Sequence, residues 1–73
     1  MSEVYLSREG MQKLQEELKD LKSSERPTAR AALKRAREFG DLSENAEYTA
    51  AKERLMFLEQ RISKLEEILS RAT

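Results

Sequence analysis

The 73-residue chain contains no cysteine, no histidine and no tryptophan, and only one proline and two glycines. Without cysteine there is no disulfide staple and no thiol chemistry. With histidine missing too, soft-metal sites and imidazole acid–base catalysis drop out. Long apolar runs are also missing: the longest uncharged stretch is a few residues, too short for a membrane span or a signal-peptide core. The expectation is a soluble, cytoplasmic protein with no membrane partner. A chain this short forms one small domain at most and buries only a minor core. Net charge is absent as well, 14 basic residues standing against 14 acidic ones. A zero sum argues at first sight against a nucleic-acid partner, which normally shows as a basic excess.

What is abundant is Ala, Leu, Glu, Lys and Arg, the composition of long helices. Ser7 is placed to cap the first helix, with Leu6 before it and Met11 in the first turn spaced for a hydrophobic staple. Met11, Leu14, Leu18 and Leu21 then recur at spacings of three, four and three. Strict continuation would bring Glu25, Thr28, Ala32 and Arg35 into the stripe, whereas moving the frame on by one residue brings Ala29, Leu33 and Ala36. The stripe therefore slips by one position near Pro27, which predicts a kink or local unwinding over residues 24–27. Gly40 is a natural stop. In the second half, Tyr48, Ala51, Leu55, Leu58, Ile62, Leu65, Leu69 and Ala72 keep an unbroken heptad pattern. Only residues 40–45 separate the two stripes, so the helices must fold back on each other. Pairing Ala36 with Ala51, Leu33 with Leu55, Ala29 with Leu58, Leu18 with Leu69 and Leu14 with Ala72 keeps the sum of residue numbers nearly constant, as one hairpin requires. The expected fold is all-α: a long antiparallel two-helix coiled-coil hairpin, with helix one over about 8–39, the tip at 40–45 and helix two over about 46–72. At ~1.5 Å per residue the rod is roughly 40 Å long.

Charge is segregated along this rod. Arg26, Arg30, Lys34, Arg35 and Arg37 occupy a stretch with no acid, and Glu38, Asp41, Glu44 and Glu47 follow in a stretch with no base. Arg26, Arg30, Lys34 and Arg37 step by four, four and three, so they fall along one ridge, and Lys52 on the returning helix lies opposite Arg37. Such a ridge is either a solvated helix face or a surface for phosphates. At the tip the same carboxylates also admit two readings. Asp41 can cap the second helix with Glu44 reaching back in a capping box. Alternatively, Asp41 and Glu44 project two carboxylates into one small volume suited to a hard cation such as Mg²⁺, whose other ligands a partner would supply.

The stretch Gly40-Asp41-Leu42-Ser43-Glu44-Asn45-Ala46-Glu47-Tyr48, followed by Ala50-Ala51-Lys52-Glu53, resembles the signature of the bacterial Gre transcript-cleavage factors. Matches continue in Leu6-Ser7-x-x-Gly10, Leu14-x-x-Glu17-Leu18-x-x-Leu21-Lys22, Arg26-Pro27 and Glu59-x-Arg61-Ile62-x-x-Leu65-Glu66. The resemblance runs over essentially the whole chain. It implies a hairpin that enters the secondary channel of bacterial RNA polymerase and stimulates Mg²⁺-dependent cleavage of backtracked nascent RNA, rescuing arrested complexes. Asp41 and Glu44 would hold the second active-site Mg²⁺ jointly with the polymerase, and Ser43 would assist. Arg37 and Lys52, with Arg30 and Lys34 behind them, would meet the RNA 3′ segment. The family's second domain, an FKBP-like β-rich module, has no counterpart in these 73 residues, so the expectation is an N-terminal piece, with a naturally short paralogue as the alternative. Leu55 and Met56 depart from a Gln-Gly common in the family, and Gln60 from a Gly; Leu55 falls in the seam and should tighten it.

On this reading the chain is a monomeric cofactor of another enzyme's hydrolysis, with no active site of its own. Two other classes stay open: a homologue that plugs the same channel without promoting cleavage, and a structural coiled-coil adaptor.

Overall fold

A computed structural model of the protein describes residues 6–72, with the side chain of Leu42 left out. The chain is an all-α hairpin whose longest dimension is 48 Å. The first arm comprises α1 (Arg8–Asp20), a π-helical turn (Leu21–Glu25) and α2 (Arg26–Arg37); the second is a single helix, α3 (Ala46–Arg71). Ser7 starts the first arm, its Oγ accepting a hydrogen bond from the Gly10 N–H at 2.9 Å. A cap of this kind contributes about 1 kcal/mol.

The one-residue slip in the first stripe has a definite backbone form. From Leu21 to Ala29 is eight residues where a heptad allows seven, and the π turn takes up the extra one, the Arg26 N–H reaching back five residues to the Leu21 carbonyl. The arm therefore does not unwind: Asp20, Glu25 and Arg26 all keep right-handed helical angles. The irregularity lies at 21–25, a turn earlier than the expected 24–27. Pro27 then falls in the first turn of α2, where a missing N–H costs least. One hydroxyl within the turn and one just after it bond back to carbonyls four residues earlier, Ser23 Oγ to Lys19 O at 2.7 Å and Thr28 Oγ1 to Ser24 O at 2.9 Å. Such back-bonds are commonly associated with bent helices.

The core is thin. Among the described residues Ala29, Ala36, Ile62 and Leu65 are fully buried, while Met11, Leu14, Leu18, Leu21, Leu33, Tyr48, Ala51, Leu55, Leu58 and Leu69 are half-buried. Every one of these belongs to the two stripes, and Ala32 and Ile68 are half-buried beside them, so the apolar seam is the main contact between the arms. Phe39, Met56 and Phe57 lie off it and are exposed.

Ion pairs clasp both sides of the seam. Residues one place after a seam residue line one flank and those one place before line the other. On the first flank, Lys22 meets Glu66 at 3.3 Å and Arg26 grips Glu59 through Nε at 2.6 Å and Nη2 at 3.3 Å. On the second, Arg61 holds Glu17 through Nε at 2.7 Å and Nη2 at 2.9 Å. Hydrogen bonding from this guanidinium holds the Glu17 carboxyl below its usual pKa and raises that of Arg61. Each bridge is partly exposed and contributes about 1 kcal/mol or less, so together they fix register more than stability.

No described helix is long and apolar enough to cross a membrane.

Candidate functional site

Helix α2 ends at Arg37, two residues short of the expected Phe39. Its last turn tightens: the Glu38 N–H bonds Arg35 O at 3.1 Å and the Phe39 N–H bonds Ala36 O at 3.2 Å, three residues back. Gly40 follows at φ +110°, the left-handed region that a side chain disfavours. Asp41 then starts a short 3₁₀ turn over Leu42–Glu44.

Asp41 does not cap the second helix. One carboxylate oxygen, Oδ1, accepts from both the Ser43 N–H at 3.0 Å and the Ser43 hydroxyl at 2.8 Å, closing a turn inside the loop. These two bonds stabilise the charged form and hold the Asp41 carboxyl below the usual aspartate range, the hydroxyl contributing most. Oδ2 makes no hydrogen bond to a described residue, and neither does the Glu44 carboxylate. Asp41 and Glu44 are exposed and line one shallow hollow together with Glu47, Phe39, Asn45 and Ala46. Ser43 is thus placed as the group that orients Asp41.

The cap of α3 is Asn45, a residue that the sequence reading passed over. Its Oδ1 accepts from the Tyr48 N–H at 3.0 Å, and its Nδ2 donates to the Ala36 carbonyl at 2.6 Å on the opposite arm. An acceptor facing an N–H and a donor facing a carbonyl leave only one orientation of the amide. The available signal was an Asn three residues before the first seam residue of the second stripe.

Arg30, Lys34 and Arg37 each follow a seam residue, which puts them on the same flank as Lys22 and Arg26. Arg26 itself is not part of a free ridge: it is half-buried and bound to Glu59. Across this flank, from the open end towards the tip, α3 presents Glu66, Ser63, Glu59, Met56 and Lys52. The carboxylates run out halfway. Arg30, Lys34, Arg37 and Lys52 are exposed, and none lies within ion-pair distance of a described carboxylate. An unneutralised cationic half-flank therefore abuts the acidic tip, the arrangement that attracts phosphates on one side and a cation on the other.

The donor set at the tip fits a hard cation in part. Asp41 and Glu44 are exposed, Asp41 Oδ2 and the Glu44 carboxylate are uncommitted to described residues, and the Ser43 bonds hold the Asp41 carboxyl below its usual pKa. Among the described residues, however, no three carboxylates converge to hold a metal on their own. Two oxygen donors suit Mg²⁺ only where another molecule completes the shell.

The model of a family described as "Transcription elongation factor, N-terminal" matches residues 4–73. The chain is similar to proteins named transcription elongation factor GreA, at 53% identity over 72 residues in Paracoccus denitrificans, 56% over 72 in Hyphomonas neptunium and 55% over 73 in Christiangramia forsetii. In each comparison 99% of this chain aligns with 46% of the relative. The chain thus spans about half the length of the curated relatives it matches.

Proposed function

Because the chain belongs to the GreA/GreB family of transcription elongation factor N-terminal domains, we propose that it is the arm by which such a factor enters the secondary channel of bacterial RNA polymerase and stimulates cleavage of backtracked RNA. The observation that carries this reading is the exposed Asp41–Glu44 pair at the end of a 48 Å hairpin, backed by four cations without carboxylate partners. Asp41 and Glu44 would hold the ion, their carboxylates supplying oxygen ligands to a Mg²⁺ shared with the polymerase. When bound, that ion supplies charge neutralisation and a more acidic water for phosphodiester hydrolysis.

The chain's own residues do the rest. Ser43 orients Asp41 through the two hydrogen bonds to its Oδ1. Arg37 and Lys52, nearest the tip, hold the phosphates of the RNA 3′ segment, with Arg30 and Lys34 extending the track, so association weakens as salt rises. The chain performs no hydrolysis by itself; it raises occupancy of a site that the polymerase holds loosely.

The test is RNA cleavage by a stalled, backtracked polymerase complex with this chain added at high concentration. Asp41→Asn and Glu44→Gln each lower the stimulated rate by more than about tenfold, as expected when a metal's immediate surroundings are altered, while binding to polymerase survives. Undiminished cleavage in both variants refutes the tip assignment. Tight binding with no stimulated cleavage by the parent chain identifies a channel inhibitor instead.

A further inference from the structure

The loop that carries Asp41 and Glu44 is held at one point. Gly40, at φ +110° and with nothing within 4 Å of where a Cβ would stand, leaves the near end of the loop without side-chain packing. Among the described residues, the Asp41 carboxylate bonds only to Ser43, within the loop itself. Among the described residues, the hydrogen bond from Asn45 Nδ2 to Ala36 O is the one that ties residues 40–45 to α2, whereas α3 is tied both by Asn45 Oδ1 with Tyr48 N and by the Asn45 carbonyl, which accepts from Thr49 N and Oγ1. The amide is part-buried between the arms, and its 2.6 Å bond is short for an N–H···O contact. Glu44 is the residue immediately before it.

We propose that Asn45 is a positioning residue for the acidic pair: its strap to Ala36 O sets where Glu44 stands relative to Asp41, and so sets the affinity of the tip for a divalent cation. The inference rests on the metal-holding reading above and adds to it. A cap alone requires only the acceptor side of Asn45, which serine provides about equally well. The donor side contributes nothing to capping α3; it spans the turn and fixes the loop to a fully buried residue of the opposite arm. Groups hydrogen-bonded to a metal's ligands typically change its affinity 10–100-fold; Asn45 acts one step further out, through the backbone next to Glu44, so its effect falls at the low end of that range.

Asn45→Ser separates the two functions, because its hydroxyl can cap Tyr48 N but is too short to reach Ala36 O. The measurement needs no polymerase. Mn²⁺ is titrated into the chain and the paramagnetic broadening of backbone amide signals at residues 41–47 is followed by NMR, below the unfolding midpoint of each variant. The midpoint of broadening is expected to rise about tenfold in Asn45→Ser, with helix content by circular dichroism unchanged. A purely structural role predicts reduced helix content and an unmoved Mn²⁺ midpoint, and that result overturns the proposal. Asp41→Asn is run alongside. If it weakens Mn²⁺ binding and Asn45→Ser does not, the positioning role fails alone. If the parent chain shows no broadening at the tip, or Asp41→Asn leaves it unchanged, the positioning role falls, while the reading of a Mg²⁺ shared with the polymerase stands or falls on the cleavage test above.

Discussion

The π turn makes a quantitative claim about spacing, tested by changing the length of the first arm by one residue in either direction. Deleting Ser24 brings Leu21 and Ala29 to heptad spacing, so an ordinary α-helix carries both halves of the stripe on one seam. Pro27 would then sit deeper in an uninterrupted helix, where it costs ~3 kcal/mol or more, so both length variants are made with Pro27→Ala. Inserting an alanine after Ser24 does the opposite and rotates α1 by a further ~100°. That rotation takes Met11, Leu14, Leu18 and Leu21 off α3. Full burial of such a side chain contributes roughly 1.5–3 kcal/mol, so at half burial these four contribute about 4 kcal/mol together. Loss of the Glu17–Arg61 and Lys22–Glu66 bridges adds at most about 1 kcal/mol each. A chain of this size has roughly 4–11 kcal/mol of total stability, so the insertion detaches α1 or unfolds the hairpin. Urea unfolding followed by circular dichroism reads both variants against Pro27→Ala alone. The deletion should fall within about 1 kcal/mol of it and the insertion roughly 5 kcal/mol below. Equal costs for the two, or a tolerated insertion, would refute the assignment of the π turn as the device that absorbs the extra residue.

Two further outcomes follow from the tip and the clasp. Asp41 has its pKa lowered by Ser43, so its charge-dependent contribution to the folded loop is present above the unfolded carboxylate pKa and lost as pH falls through the lower folded value. Ser43→Ala removes the larger of the two causes and moves that loss to higher pH, read as an upward shift of the Asp41 carboxyl ¹³C titration; an unmoved titration rejects the Ser43 contact. Glu59→Gln leaves Arg26, the least exposed cation of the clasp, without its carboxylate and should lower stability by about 1 kcal/mol. Glu66→Gln, at a more exposed pair, should cost less than about 0.5 kcal/mol, and the reverse order in urea unfolding rejects the register given to the bridges.

How much of this was legible in the sequence depends on what a one-dimensional pattern encodes. The stripes are counts of residues, so the hairpin and the one-residue slip could both be read from Leu21, Pro27 and Ala29. The form of the slip could not, because a count does not distinguish a break in the helix from a wider turn that keeps every residue helical. At the tip, Asp41 and Asn45 are both good capping residues ahead of the second stripe. The choice between them is made by the 3₁₀ turn over residues 42–44, closed by Asp41 on Ser43. That turn leaves Asn45 next to the helix and within reach of Ala36, nine residues earlier in the chain.

The charge pattern misled in a more instructive way. Arg26, Arg30, Lys34 and Arg37 share one stripe along the first arm, and nothing within that arm separates them. What separates them is the other arm, where Glu59 faces Arg26 and the positions nearer the tip are Met56 and Lys52. A basic ridge becomes a binding surface only where the opposing flank stops neutralising it, and that boundary falls between Arg26 and Arg30. The zero net charge conceals the same division: the acids that balance these cations lie partly at the clasp, where they hold the arms together, and partly at the tip. Adding a carboxylate on the facing flank, as in Met56→Glu, would extend the clasp towards the tip and remove part of the proposed phosphate track without touching the acidic pair. The two halves of the proposed site are therefore separable by substitution, although they lie side by side at one end of the hairpin.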